Sequence, residues 1–350
     1  MNGPCKLLVV DDSKIMRRLI TGLFDADDKI QVVGEATDGL DALAHVSRLD
    51  PDVITLDINM PGMDGLTTLK HLMIRSPKPT VMLSTLTREG EKTTFDALRY
   101  GAVDFITKPT QLDGGELEAQ AQDIVTKVNL AAAVALESVR YIRAARQDKN
   151  AASFRPGFCD RVVAFGAAEG GYGALLKIIP QLRPDLPVAY LAVLYVAPPH
   201  VEAFARYLDE YSGVRVKRAV AGEPIEGGVC YLGAGVEYLT VAARDGRLVL
   251  HVHRAPFASR RGSIDRLLFS VAEAMKERAA GVILSGSGED GSEGLEEIHR
   301  MDGVAIVQNP QSCLHKGMAQ AALARCQPDF VALLELSEYK FSLKTEFCRS

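Results

Sequence analysis

What this chain lacks narrows its class first. No apolar run approaches the ~20 residues a membrane-spanning helix needs; the longest, Val188 to Ala197, reaches about half of that. The N-terminus has one Lys followed by Leu7, Leu8, Val9 and Val10, without a secretory signal's long apolar stretch or small-residue cleavage site, so a cytoplasmic protein is expected. No block of five or more like charges stands out among 40 basic and 45 acidic side chains, and the formal net charge is -5. Binding to nucleic acid or to a membrane surface needs clustered Lys/Arg to displace counterions, so neither partner is expected. The six cysteines, Cys5, Cys159, Cys230, Cys313, Cys326 and Cys348, include no C-x-x-C pair and no His at zinc-finger spacing. Buried or free thiols are expected rather than a structural zinc site.

What is present is a near-average globular composition, 47 % hydrophobic and 24 % charged, over 350 residues. At about 100–200 residues per domain, that length predicts two domains. Up to residue 109, short apolar runs alternate regularly with amphipathic segments. Strands are predicted at Lys6–Val10, Gln31–Ala36, Val53–Asp57, Thr80–Ser84 and Asp104–Thr107, with helices between them such as Lys14–Phe24 and Gly39–Leu49. Five βα units of this length predict a doubly wound parallel sheet with its working site at the carboxyl ends of the strands.

The stretch Gly114 to Gln147 is rich in Ala, Glu, Leu and Arg, with Ile124, Val128, Leu136, Val139 and Ile142 near helical spacing, and predicts a last helix extended into a linker. The Lys149–Gly157 segment after it reads as a flexible joint. A second αβ alternation starts at Arg161. Strands are predicted at Arg161–Phe165, Val188–Val193, Val214–Ala219, Gly228–Leu232 and Val282–Leu284, and helices at Ala174–Leu182, Val201–Tyr211, Ser263–Arg278 and Ser292–Met301. Tyr238–Ala243 and Leu248–His253 read as a hairpin around Asp245-Gly246. The fold class is therefore α/β, two doubly wound domains joined by a helical linker.

Three acidic groups fall at predicted strand ends: Asp11 and Asp12 after the first strand, Asp57 after the third. Gathered at one rim they repel one another unless a hard divalent cation balances them, and Mg²⁺ prefers such oxygen ligands. The hydroxyl of Ser84 and the ammonium of Lys108 complete a phosphoryl-transfer set at the same rim. The runs Val-Val-Asp-Asp-Ser (9–13), Asp57-Ile-Asn-Met-Pro-Gly-Met-Asp-Gly65, Ser84 and Gly101 to Pro109 resemble the receiver domain of two-component response regulators over about residues 4 to 125. The resemblance implies that Asp57 accepts a phosphoryl group from a histidine kinase, with Mg²⁺ held by Asp12, Asp57 and the carbonyl of Asn59, and Asp11 acting through water. It further implies that Lys108 pairs with the phosphoryl oxygens and that Ser84 and Phe105 form the switch that senses them. Pro109 is a candidate cis turn.

The second half resembles the chemotaxis protein-glutamate methylesterases of the CheB type. The runs that carry this are 162–171, Val193 to Pro199, Gly222-Glu-Pro-Ile, Ser263-Ile-Asp265 and 281–295. Three positions decide the chemistry. Where the family reads Gly-Ala-Ser-Thr-Gly-Gly, with Ser as nucleophile, this chain has Gly166-Ala167-Ala168-Glu169-Gly170-Gly171. Where the family's base stands in Gln-His-Met-Pro, this chain has Tyr195, Val196, Ala197 and Pro198, and Gly-Met-Gly-x-Asp-Gly becomes Gly286-Ser-Gly-Glu-Asp290-Gly291. Only the third member of a Ser-His-Asp set, Asp290, is retained; Ala168 has no oxygen and Val196 takes no proton. Substitutes would have to come from His200, Ser263, Ser285, Ser287 or Glu169, each on a different backbone position, and a misplacement near 1 Å already costs about 10²-fold. His251 and His253 share one face of a predicted strand but lack a third ligand candidate.

These observations predict a receiver over 1–125, a helical and flexible linker over 126–160 and a catalytically degenerate methylesterase-like domain over 161–340. The expected function is a chemotaxis-type response regulator whose output domain binds a partner, such as a chemoreceptor cytoplasmic domain or the kinase, or serves as a phosphate sink. The alternative is an active methylesterase and glutamine deamidase with relocated catalytic residues. A DNA-binding regulator is disfavoured, because no basic helix-turn-helix pattern follows the receiver.

Overall fold

The computed structural model describes residues 3–25, 27–84, 88–108, 114–134, 158–244, 246–254 and 262–332. Contacts divide the chain into two units, Met1–Arg143 and Ala144–Ser350. Pro109, Asp245, the predicted helical extension through Leu136, Val139 and Ile142, the joint Lys149–Gly157 and Cys348 lie outside the described residues. The other five cysteines are free thiols, as expected.

The first unit alternates β1 (Cys5–Val10), α1 (Lys14–Leu23), β2 (Ile30–Ala36), α2 (Gly39–Leu49), β3 (Val53–Asp57), α3 (Gly65–Arg75), β4 (Thr80–Ser84), α4 (Arg88–Arg99), β5 (Asp104–Thr107) and α5 (Gly114–Ala132). Its five strands form one sheet in the order β2-β1-β3-β4-β5, every neighbouring pair parallel. Side chains alternate across a strand, so Leu7 and Val9 lie on one face, where they pack with Ile20 and Phe24 of α1 and Ile124, Val128 and Ala131 of α5. A parallel sheet covered by helices reads as continuous apolar runs, which is why the strands were legible. The helices start at side-chain caps: Ser13, Asp38 and Asp64 each accept a backbone N–H from the first turn that follows.

The second unit contains β6 (Arg161–Ala167), α6 (Gly171–Ile178), β7 (Val188–Leu194), α7 (Pro198–Tyr211), β8 (Arg215–Arg218), β9 (Val229–Ala234), β10 (Glu237–Arg244), β11 (Arg247–Arg254), α8 (Ser263–Met275), β12 (Ala279–Ile283), α9 (Ser292–Arg300), β13 (Val304–Gln308), α10 (Gly317–Arg325) and β14 (Phe330–Ala332). Seven strands form a parallel sheet in the order β14-β13-β12-β6-β7-β9-β8, and β10 and β11 pair separately as the expected antiparallel hairpin. Ile264, Leu267, Leu268 and Val271 of α8, Leu295 and Ile298 of α9 and Met318 and Ala322 of α10 share one core with Val162, Ala164, Leu191 and Val193. Tyr172 of α6 meets Phe204 of α7 edge to face at 4.7 Å.

Three local expectations are corrected. The sheet gains β13 and β14, which the predicted strands did not include; β13 is only five residues long, and β14 is a three-residue, largely exposed edge. The helix predicted over Ala174–Leu182 instead starts at Gly171 and gives way at Ile179 to a 3-10 turn containing Pro180, which has no N–H to continue an α-helix. The helix predicted to reach Arg278 stops at Met275, because Lys276 takes a left-handed φ of 52°.

Candidate functional site

In the first unit, the carboxyl ends of β1, β3, β4 and β5 bring the predicted residues to one rim. Single carboxylate oxygens of Asp11, Asp12 and Asp57 lie within 4.8 Å of one another. Asp11 and Asp57 are buried, while Asp12 and Asn59 are exposed. The Lys108 ammonium sits 2.7 Å from Asp11 Oδ2 and 2.7 Å from Asp57 Oδ2. Even so, Asp11 Oδ2 and both Asp57 oxygens have no well-aligned hydrogen-bond partner. Burial pushes the Asp57 carboxyl above its ordinary range; Lys108 pulls it down and the neighbouring Asp11 charge adds to the rise. Three clustered carboxylates against one ammonium, with orphaned oxygens, form a donor set that a hard divalent cation fits.

Two features around this rim were not read from the sequence. Arg17 donates from Nη1 to the carbonyls of Asp11 (2.8 Å) and Asp12 (3.2 Å), and from Nε to Glu35 (2.9 Å), fixing the loop that carries the acid pair. Only the helical phase of α1 could have signalled it. Gly65 is the second: a Cβ built there meets the Asp57 carbonyl oxygen at 1.9 Å, and the Gly65 amide donates to the Ile58 carbonyl at 3.0 Å. Gly65→Ala must push the Asp57 backbone away, so it should lower the rate of phosphodonor labelling about 10-fold or more while the first unit stays folded, read by circular dichroism beside the labelling assay. Ser84 Oγ shares a 2.7 Å hydrogen bond with Thr94 Oγ1 of α4, and Phe105 is buried, edge to face with Phe95 at 6.3 Å.

In the second unit, the ends of β6, β7 and β12 converge in the same way. Ala168 is 9 % exposed, and its amide donates to the Ser285 carbonyl at 2.9 Å. A Cβ on Gly286 would meet the Ala168 Cβ at 2.7 Å, so the loop after β12 lies directly against residue 168. Val196 offers only methyl groups beside Tyr195. The Tyr195 hydroxyl donates to Asp290 Oδ2, which also accepts the Ile264 amide at 3.0 Å; Asp290 Oδ1 accepts the Asp265 amide at 3.0 Å. Asp290 therefore caps the N-terminus of α8. In return, Asp265 on α8 accepts the Gly294 amide at 2.7 Å and caps α9. Burial, with Asp290 adding its charge, pushes the Asp265 carboxyl up to about 6.

The candidate substitutes are also engaged. Ser263 donates to the Gly235 carbonyl at 2.6 Å, and Ser285 donates to the Glu169 carbonyl and accepts the His315 amide at 3.0 Å. Glu169 and Ser287 are brought together: Oε2 accepts the Ser287 amide at 2.8 Å and Oε1 the Ser287 hydroxyl at 3.0 Å. Burial raises the Glu169 carboxyl pKa, but the Ser287 amide, its own amide and the Ser287 hydroxyl outweigh it, leaving the carboxyl below its usual range. Such a carboxylate is a weak base for activating Ser287. His200 lies in the first turn of α7. His251 and His253 stack at 6.0 Å, and among the described residues no third His, Cys or carboxylate joins them. His315, whose Nδ1 lies 3.2 Å from the Gly286 carbonyl and 3.2 Å from the Gly317 amide, was not singled out from the sequence.

Comparison with known proteins matches residues 7–128 to the response regulator receiver domain and residues 163–338 to the CheB methylesterase. A protein-glutamate methylesterase/protein-glutamine glutaminase of Pyrococcus horikoshii is 36 % identical over 339 residues, covering 96 % of this chain and 92 % of that protein. Its namesake in Symbiobacterium thermophilum is 38 % identical over 332 residues, covering 91 % of each. The solved catalytic domain of Thermotoga maritima CheB methylesterase is 27 % identical and covers 50 % of this chain and 93 % of its own, with a TM-score of 0.47. No helix among the described residues is long and apolar enough to cross a membrane. With a receiver preceding a methylesterase domain and relatives matched over nearly its whole length, the chain belongs to the CheB methylesterase family and is a chemotaxis-type response regulator.

Proposed function

We propose that this chain is a phosphorylation-switched regulator whose methylesterase domain no longer hydrolyses esters. The observation that carries the reading is the contrast between its two rims. At the first, Asp57, Lys108 and the acid pair converge with oxygens left over for a cation. At the second, the family's nucleophile and base positions hold Ala168 and Val196, and Asp290 is committed to Tyr195 and to α8. A histidine kinase of the chemotaxis type supplies the phosphoryl group to Asp57, and Lys108 steadies the oxygens of that group. Mg²⁺, held by Asp12, Asp57 and the carbonyl of Asn59, would supply charge neutralisation during transfer. Asp11 supports it through water, and Ser84 and Phe105 report the modified state to α4 and β5. The proposed division is a receiver whose core runs on through α5 to Ala131, past the expected boundary at 125, then a linker up to 160 and a methylesterase-like domain over 161–340.

The output domain then acts by binding, with a chemoreceptor cytoplasmic domain or the kinase as partner, or the receiver serves as a phosphate sink, all in the cytoplasm. The relatives' names favour a second reading, an active methylesterase/deamidase, for which the Glu169–Ser287 pair offers a hydroxyl hydrogen-bonded to a carboxylate among the described residues. The lowered Glu169 carboxyl argues against it. Methanol release from methylated receptor, measured with and without a small phosphodonor, separates the two. Release no faster than the spontaneous rate in both arms is expected; release comparable to an active relative overturns the proposal.

A further inference from the structure

The non-hydrolytic cleft differs from the family pattern at more positions than its nucleophile and base, and the additional differences touch one another. Glu169 stands where the family has Thr, and Ser287 where it has Met; these two residues are hydrogen-bonded through both carboxylate oxygens across 118 residues of chain. Tyr195 stands where the family has Gln, and its hydroxyl binds Asp290 across 95 residues. Each change therefore brings its own partner.

The placement of these contacts matters for chemistry. Acyl transfer at residue 168 needs N–H donors aimed at the acyl oxygen beside it. The loop Ser285-Gly286-Ser287 forms the wall against residue 168, since a Cβ at Gly286 has no room beside the Ala168 Cβ, and the Ser287 amide is the next N–H along that wall. That amide already binds an anion, the Glu169 carboxylate, at 2.8 Å. Asp290 is equally committed. A carboxylate oxygen has about two acceptor sites, and Asp290 Oδ2 has the Tyr195 hydroxyl and the Ile264 amide on both. An imidazole introduced at residue 196 would find that oxygen full.

We propose that Glu169 and Tyr195 are internal occupants of two polar groups that ester hydrolysis at residue 168 would need: Glu169 fills the Ser287 amide as a built-in carboxylate, and Tyr195 with the Ile264 amide fills Asp290 Oδ2. The inference rests on the non-hydrolytic reading of this domain and adds what holds it in that state. Glu169 presents to the loop the same functional group, a glutamyl carboxylate, that ester hydrolysis of a glutamyl side chain would produce. The cleft thus carries its own product mimic and excludes the glutamyl side chain of a partner. Ala168→Ser with Val196→His alone leaves both occupants in place.

The test uses the full chain in three forms: wild type, the two-residue variant Ala168→Ser/Val196→His, and a five-residue variant adding Glu169→Thr, Tyr195→Gln and Ser287→Met. Labelling by a fluorophosphonate probe reads nucleophile activation without requiring receptor docking, and melting curves establish that each form is folded. The five-residue variant should label about 10²-fold or more faster than the two-residue variant, the scale of one restored oxyanion donor. Equal labelling of the two, or none in a folded five-residue variant, overturns the proposal. A second measurement needs no rebuilt triad. In Glu169→Ala the Ser287 amide is vacated, so its NMR resonance should move on titration with sodium acetate, whereas the wild-type resonance should stay fixed. An equal shift in both forms, or in neither, overturns it as well. Ester hydrolysis by the wild type would defeat the non-hydrolytic reading instead, so the two failures are distinguishable.

Discussion

Asp57→Asn should abolish labelling by acetyl phosphate in the presence of Mg²⁺, while the wild-type chain is expected to take up one phosphoryl group. The effect is all-or-none because the asparagine amide is not a nucleophile, and neither of the two carboxylates clustered with it is placed to substitute. Asp11 is buried behind the Lys108 contact and Asp12 is exposed at the loop surface. Lys108→Ala tests the same site by a different route. It removes a cation that touches both Asp11 and Asp57 at 2.7 Å, and loss of such a clamp on a transferring phosphoryl group costs about 10²–10³-fold in rate. Chelation of divalent cations should stop labelling of the wild type, since the Lys108 ammonium alone then stands against three clustered carboxylates and an incoming phosphoryl group. Phosphoryl uptake followed by intact mass spectrometry checks all three, and equal labelling of wild type and Asp57→Asn would place the acceptor elsewhere.

Methanol release by the wild type should fall about 10⁴–10⁶-fold below that of an active relative, because removal of a nucleophile or base from a triad costs that much and removal of a second adds little. Asp290→Asn sharpens this result. In a working triad, the same change costs about 10⁴ in rate through the wrong imidazole tautomer. Here Asp290 holds a tyrosine hydroxyl and two amides, with no imidazole on it among the described residues, so residual hydrolysis should not change. Stability should. Asp290 is 8 % exposed and accepts the Tyr195 hydroxyl and two amides of α8. An Asn side chain can accept at only one of the two oxygen positions, and each buried donor left without a partner costs about 1–3 kcal/mol. With about 2–4 °C per kcal/mol for a domain of this size, a drop of several degrees in Tm is expected. A lowered rate with unchanged Tm would reverse the assignment.

The first unit was legible almost element by element because its central strands β3 and β4 and most of β1 are buried on both faces and so appear as apolar runs, and because Asp11, Asp57, Ser84 and Lys108 lie at the ends of its strands. Strand order needed the structure, but the rule that parallel sheets work at their carboxyl ends placed the site without it. In the second unit, the losses at 168 and 196 were visible as letters. Their compensation was not. Tyr195 meets Asp290 across 95 residues and Glu169 meets Ser287 across 118, and periodicity reports only neighbours a few residues apart. Arg17 and His315 were missed for a related reason, since most of their partners are backbone groups, which no sequence pattern displays. β14 has three residues and two exposed side chains, too little pattern for a strand.

The exchange of caps between α8 and α9 changes what Asp290 can be used to diagnose. A carboxylate at this position secures one helix start while Asp265 secures the other, so the fold itself demands an acid there whether or not an ester is ever cleaved. Folding alone is therefore reason enough for this chain to keep Gly288-Glu289-Asp290-Gly291. Asp290 by itself is a mark of architecture here, and residues 168 and 196 are the positions on which the question of ester cleavage turns.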